Sequence, residues 1–355
     1  MRSRFFALLV ANIILALFLT SPFWIWNFLD EESVTAVSRR TGNNALAAEY
    51  IYHGRDIDVL FIGSSQLRAG VNHESLREGY RAATGKDIDT LTIAHNWDGL
   101  DLVYFKLRDF LENNKTNLVV VESPNYDPEA GNYPHPDTKF FFRISDDPEL
   151  FWELPKTVSL KLYAEQVLVA PRLLLGAIVG ETGRDEMHKK VAADRGALLR
   201  SQGFGGQAFQ PTDISAKCQL TVDDVLLSSS LPDEKLFGIP IQHWERQFLH
   251  AIDSLLKQNS TKVIFVRFPY KSFAGTGLVE RNSEFPAYWD DYAFTNEQLF
   301  GDHNLELFYY DRVHLNTNGA SRFGECMGGV LADMESKGII TFSAASDTAQ
   351  KELLQ

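Results

Sequence analysis

Three stretches of this chain are apolar with almost no polar interruption: Asp58–Ile62, Asn117–Val121 with Leu118-Val119-Val120-Val121 as its centre, and Lys262–Phe268. A strand that is apolar on both faces persists only where both faces are covered, which is the situation of a parallel sheet between two helical layers. The intervening sequence fits that arrangement. His73–Thr84, Leu100–Leu111, Ile241–Leu256 and Thr317–Met334 carry apolar residues at helical spacing, and Asp89–Ala94 and Leu305–Tyr309 read as two further strands. The alternation predicts an α/β fold, a three-layer sandwich with a parallel sheet. In such sheets ligands bind beyond the carboxyl ends of the strands.

The rhythm breaks at both ends and in the middle. Met1-Arg2-Ser3-Arg4 precedes a run from Phe5 to Leu29 that contains no charged residue. A helix needs roughly 20 apolar residues to cross a bilayer. Trp24 and Trp26 lie near the end of the run, where aromatic rings favour the membrane interface. Arginines before the run and Asp30, Glu31 and Glu32 after it place the N-terminus in the cytoplasm. The expectation is an N-terminal transmembrane helix within residues 1–29, an uncleaved single-pass anchor favoured over a cleaved signal peptide because no clean small-x-small site follows. Residues 30–55 then read as a stalk, 56–340 as the folded domain, and 341–355 as a polar tail. Residues 126–236 form a large, mostly helical insertion. Within it Val158–Val179 is strongly apolar, and Lys161, Glu165, Pro171 and Arg172 make it a poor second span. It reads as a core helix, a lid or a segment on the membrane surface.

The net charge of −13 excludes the basic footprint of a nucleic-acid binder. Cys218 and Cys326 form either one disulfide or two separate thiols, and no Cys/His cluster offers a metal site.

Two short motifs carry chemistry. Gly63-Ser64-Ser65 follows the first strand, and Asp311-x-x-His314 follows the last predicted one. Both fall on the same sheet edge. A serine becomes a nucleophile when a neighbouring base takes its proton. The pattern therefore nominates Ser65 as nucleophile, His314 as general base and Asp311 as the group that orients the imidazole. Arg68, one helical turn on, either binds an anionic substrate group or opens a solvated helix face. His95 is a candidate substrate contact. Asp98 and Asp101 pair with carbohydrate hydroxyls or cap a helix.

On these motifs the chain resembles the SGNH, or GDSL-type, hydrolase superfamily over residues 56–124 and 240–337. Ser64 stands where that family usually has Asp. The Gly-Ser-Ser variant with an N-terminal anchor is similar to a membrane-tethered branch that includes the D-alanine transfer protein of teichoic acid synthesis and the acetyltransferases of alginate and peptidoglycan. The resemblance implies an oxyanion hole made of the Ser65 N–H, the backbone N–H of Asn96 and the side chain of Asn125, the last within Glu122-Ser123-Pro124-Asn125. It implies acyl transfer through a serine ester, an acyl donor and a polysaccharide acceptor, a polytopic membrane acyltransferase partner, and no metal or organic cofactor. A catalytically silent scaffold that binds glycan or assembles a membrane complex is the alternative.

Overall fold

The computed structural model describes residues 2–25, 51–52, 56–95, 99–123, 134–179, 218–225, 243–271 and 289–342. Five parallel strands form one sheet in the order β2-β1-β3-β4-β5. They are β1 (Ile57–Gly63), β2 (Thr90–Ala94), β3 (Thr116–Glu122), β4 (Lys262–Arg267) and β5 (Asp290–Ala293). The described helices are α1 (Arg2–Trp24), α2 (Ser65–Gly70), α3 (His73–Thr84), α4 (Leu100–Asn113), α5 (Thr138–Phe141), α6 (Pro148–Glu153), α7 (Lys156–Val179), α8 (Val222–Val225), α9 (His243–Gln258), α10 (Asn296–Phe300) and α11 (Thr317–Ser336).

Side chains on a strand alternate between faces, and the two cores divide accordingly. Leu60, Ile62, Val119, Val121, Val263 and Phe265 join the core built with α4 and α9. Val59, Phe61, Leu118, Val120, Ile264 and Val266 join the opposite core built with α3 and α11. The expected α/β architecture, a parallel sheet with helices on both faces, is therefore present. α3 starts where Asn72 accepts a hydrogen bond from the Ser75 N–H and stops at Gly85, whose φ of 73° is left-handed. α11 crosses α3 almost backbone to backbone. A Cβ on Gly328 would lie 2.2 Å from the Leu76 carbonyl oxygen, and one on Gly324 would lie 2.6 Å from that of Asn72. Cys218 and Cys326 are joined in a disulfide, which ties the segment leading into α8 to α11.

Two expectations are corrected. Leu305–Tyr309 is not a strand: Leu305–Leu307 form one 3₁₀ turn, and Tyr309 makes a single antiparallel bridge to Leu315. None of these three turn residues is buried, so the burial that sustains a central strand is missing. The fifth strand is Asp290–Ala293 instead. Its Asp-Asp-Tyr-Ala sequence has no apolar run, and Asp291 is accommodated in the interior by an ion pair of 2.7 Å with Arg267.

The second correction concerns the N-terminus. Among the described residues no helix is long and apolar enough to cross a membrane, so the expected span is not found there. Its residues do form α1, with Phe6, Leu8 and Ile14 largely exposed. One side of the last turn instead packs against protein, while Phe23 stays exposed. Ser21 and Ile25 are buried, the Tyr163 hydroxyl donates to the Leu19 carbonyl at 2.6 Å, and Ile25 packs with Ala170 and Leu173. The described part of the insertion is helical. Phe141, Phe142, Phe151, Val158 and Leu162 enter the α4–α9 core, so the first turns of α7 are core, while Leu160, Leu168 and Leu175 face outward. Most of the predicted stalk and tail lies outside the described residues.

The close α3–α11 crossing makes a paired test. Replacing Gly328 by Ala is expected to destabilise the fold by about 1–3 kcal/mol through overpacking. Replacing Gly329 by Ala, whose Cβ would meet nothing nearer than 3.8 Å, is expected to stabilise it by up to about 1 kcal/mol through helix propensity. Urea unfolding of the two variants distinguishes them, and equal effects would contradict this packing.

Candidate active site

β1 delivers its carboxyl end at Gly63, and the chain turns directly into α2. Ser64 is the N-cap: its Oγ accepts from the Gln66 N–H at 3.1 Å, which leaves Ser65 as the first helical residue. The first N–H groups of a helix have no intrahelical partner, so Ser65 presents its amide as well as its hydroxyl at this edge.

The imidazole arrives from the other end of the chain. After the 3₁₀ turn the backbone reverses, with Tyr309 bridged to Leu315 and the Tyr310 N–H donating to the His314 carbonyl at 2.9 Å. Tyr309 Oη lies 2.9 Å from the Pro269 carbonyl and 2.6 Å from Asn296 Oδ1, fixing the base of the turn. Asn316 closes it by capping α11 through the N–H groups of Asn318 and Gly319. Inside the turn Asp311 Oδ1 accepts from the N–H groups of Val313 and His314, each at 2.8 Å. Asp311 Oδ2 lies 2.8 Å from His314 Nδ1. His314 Nε2 lies 2.9 Å from Ser65 Oγ. The three residues nominated from sequence thus meet across a separation of 249 positions.

Partial burial raises the pKa of Asp311, but the hydrogen bonds from Val313 and from the His314 ring and backbone outweigh it, leaving the carboxyl below its ordinary range. Its contribution to the turn is therefore complete above the unfolded value of 3.8 and is lost as the pH falls through the lower folded value. An ionised carboxylate only accepts. His314 Nδ1 must then carry the ring proton, and the Nε2 lone pair faces the Ser65 hydroxyl.

The other nominated residues divide. His95 is 1 % exposed, and among the described residues neither of its ring nitrogens has a hydrogen-bond partner. Burial, then the charge of Lys106 and the neighbouring His135, hold it neutral, well below the usual histidine range. It lines a narrow cleft with Gly63, Ser64, Gly99, Leu100, Val103 and Glu122 beside the turn that carries the nucleophile. Arg68 is half-buried on α2, and burial lowers its pKa. Asp101 points inward, fully buried, and accepts from the His135 N–H at 2.8 Å and from the Thr138 hydroxyl, so it does not face a solvent-borne ligand. Asn96, Asp98 and Asn125 lie outside the described residues. Among the described residues no group of three or more His, Cys, Asp and Glu side chains is placed to hold a metal ion.

Glu122 was not nominated. It ends β3 at 5 % exposure, with Oε2 2.6 Å from the Ser64 N–H nitrogen and Oε1 2.8 Å from Ser64 Oγ. The available signal was a carboxylate closing an otherwise apolar strand, a residue type that is costly to bury without partners.

Asp311→Asn keeps an oxygen for the two turn N–H groups but offers an amide donor to His314 Nδ1. The ring proton is expected to move from Nδ1 to Nε2, seen by ¹⁵N NMR of histidine-labelled protein; an unchanged tautomer would contradict the assignment. The chain matches no protein-family model and no curated protein at significant similarity.

Proposed function

We propose that this protein transfers an acyl group through an ester on Ser65, in the manner of the SGNH-type hydrolases it resembles. The observation that carries this reading is the continuous hydrogen-bonded line from Ser65 Oγ to His314 Nε2 (2.9 Å) and from His314 Nδ1 to Asp311 Oδ2 (2.8 Å). Ser65 Oγ attacks the acyl carbonyl while Nε2 takes its proton. Asp311 holds the imidazole and stabilises its charged form. The Ser65 N–H receives the developing oxyanion, with Asn96 and Asn125 as the further proposed donors. The protonated imidazole then returns its proton to the leaving group of the acyl donor. A second hydroxyl, deprotonated by the same nitrogen, attacks the ester carbonyl and frees Ser65. Water makes the protein an esterase, and a saccharide hydroxyl makes it an O-acyltransferase acting on a surface or secreted polysaccharide.

The transferase reading draws on an attachment to the membrane with the domain on the extracytoplasmic side, beside a polytopic acyl-donor protein. Among the described residues the large apolar side chains that remain exposed lie on α1, α6 and α7, apart from Leu307 and Tyr310. Exposed apolar side chains concentrated on these helices support a membrane or protein contact there. The Cys218–Cys326 disulfide fits an oxidising compartment.

A fluorophosphonate probe on the full chain is expected to label Ser65, to leave Ser65→Ala unlabelled, and to label His314→Ala at least about 100-fold more slowly, the usual contribution of a general base. A folded chain that resists labelling would favour the silent scaffold. Aryl acetate turnover with and without oligosaccharide then separates the two fates of the ester, acetylated sugar marking a transferase. For the attachment, the full chain is expected to float with lipid vesicles on a density gradient, and a chain that stays at the bottom would rule the attachment out.

A further inference from the structure

We infer that Glu122 is the positioning residue of the nucleophile, acting through Ser64; the inference rests on the acyl-transfer reading of Ser65. Ser64 has two hydrogen-bond donors, its N–H and its hydroxyl, and both end on this one carboxylate, at 2.6 and 2.8 Å. With the Ser64 proton committed to Glu122, the remaining lone pairs of Ser64 Oγ face the Gln66 N–H, 3.1 Å away. One buried carboxylate therefore sets the Ser64 rotamer, and that rotamer sets the first turn of α2, on which Ser65 carries both its hydroxyl and its amide.

The carboxylate itself stands on rigid ground. Ile62 pairs with Val121 in the sheet, so Glu122 emerges beside Gly63. The next residue is pinned to β4 by the Ser123 N–H donating to the Val266 carbonyl at 2.9 Å. Gly63 is part of the same device. A Cβ at that position would lie 2.5 Å from Glu122 Cβ and 2.7 Å from its Oε2, so any larger residue would push the carboxylate off Ser64. The pairing also dictates the residue type at 64. A carboxylate there would face Glu122 at hydrogen-bond distance with no proton between them, and two such groups cannot both stay ionised. Gly63, Ser64 and Glu122 thus form one unit that aims Ser65.

The test uses the full chain in detergent, with the labelling rate of Ser65 normalised to folded protein. Glu122→Ala is expected to slow labelling by about 100-fold, the scale of a misplacement of about 1 Å, with its melting transition still cooperative. Glu122→Gln, which keeps an acceptor for the Ser64 N–H, is expected to recover to within about tenfold of the wild-type rate. Wild-type labelling in Glu122→Ala overturns the inference and leaves the acyl-transfer reading standing. A wild-type chain that is never labelled ends that reading instead. The positioning role is then read from the His314 ring ¹⁵N resonances: displacement in Glu122→Ala toward their position in Ser65→Ala supports it, and an unchanged spectrum overturns it.

Discussion

A strand buried on both faces has only its ends for polar chemistry. β1 is such a strand, with all seven residues buried and β2 and β3 hydrogen-bonded on either side. Because its neighbours run parallel to it, their carboxyl ends come out together, and Ser64, His95 and Ser123 each follow directly on a strand. A parallel sheet in effect collects residues from distant parts of the sequence along one rim. The candidate site draws on that collection: strand register places Ser65, while Asp311 and His314 meet it from a turn.

The imidazole reaches the rim by another route. β5 ends at Ala293, and His314 is carried by the reversal that precedes α11. That reversal holds itself together. Asp311 bonds two N–H groups of its own turn as well as the imidazole, and Asn316 caps the following helix. α11 is in turn seated against α3 at near backbone contact through Gly324 and Gly328. The position of His314 relative to Ser65 therefore depends on a helix crossing on one face of the sheet, and the crossing depends on the absence of side chains at Gly79, Gly324 and Gly328.

Much of this was legible from local pattern. β1, β3 and β4 announce themselves because a doubly covered strand must be apolar throughout. α3 runs over His73–Thr84 as expected, since its apolar stripe and its caps coincide. The pairing of Asp311 with His314 was legible because three residues of separation on a turn bring the two side chains together. β5 was not legible. Its acidic residues fit a buried strand only because Arg267, on the neighbouring strand, neutralises Asp291. Leu305–Tyr309 misled for the converse reason: apolar residues at the right spacing do not make a strand when no sheet edge receives them. Glu122 stood out only as a carboxylate ending an apolar strand; its role was hidden because it is a hydrogen bond to a residue 58 positions away.

The sequence by itself determined the fold class, the ends at which chemistry can occur and the residue types brought to them. Burial imposes a periodicity that single residues reveal, and a hydroxyl, an imidazole and a carboxylate keep their chemical character in any fold. Tertiary structure alone decided which carboxylate serves which neighbour. Asp311 and Glu122 are both acidic residues that follow an apolar run in the sequence, yet one faces an imidazole and the other braces the Ser64 peptide. The physical reason is range: hydrophobic patterning acts along a segment, whereas a hydrogen bond is specific only once register and helix packing have fixed its partner within about 3 Å.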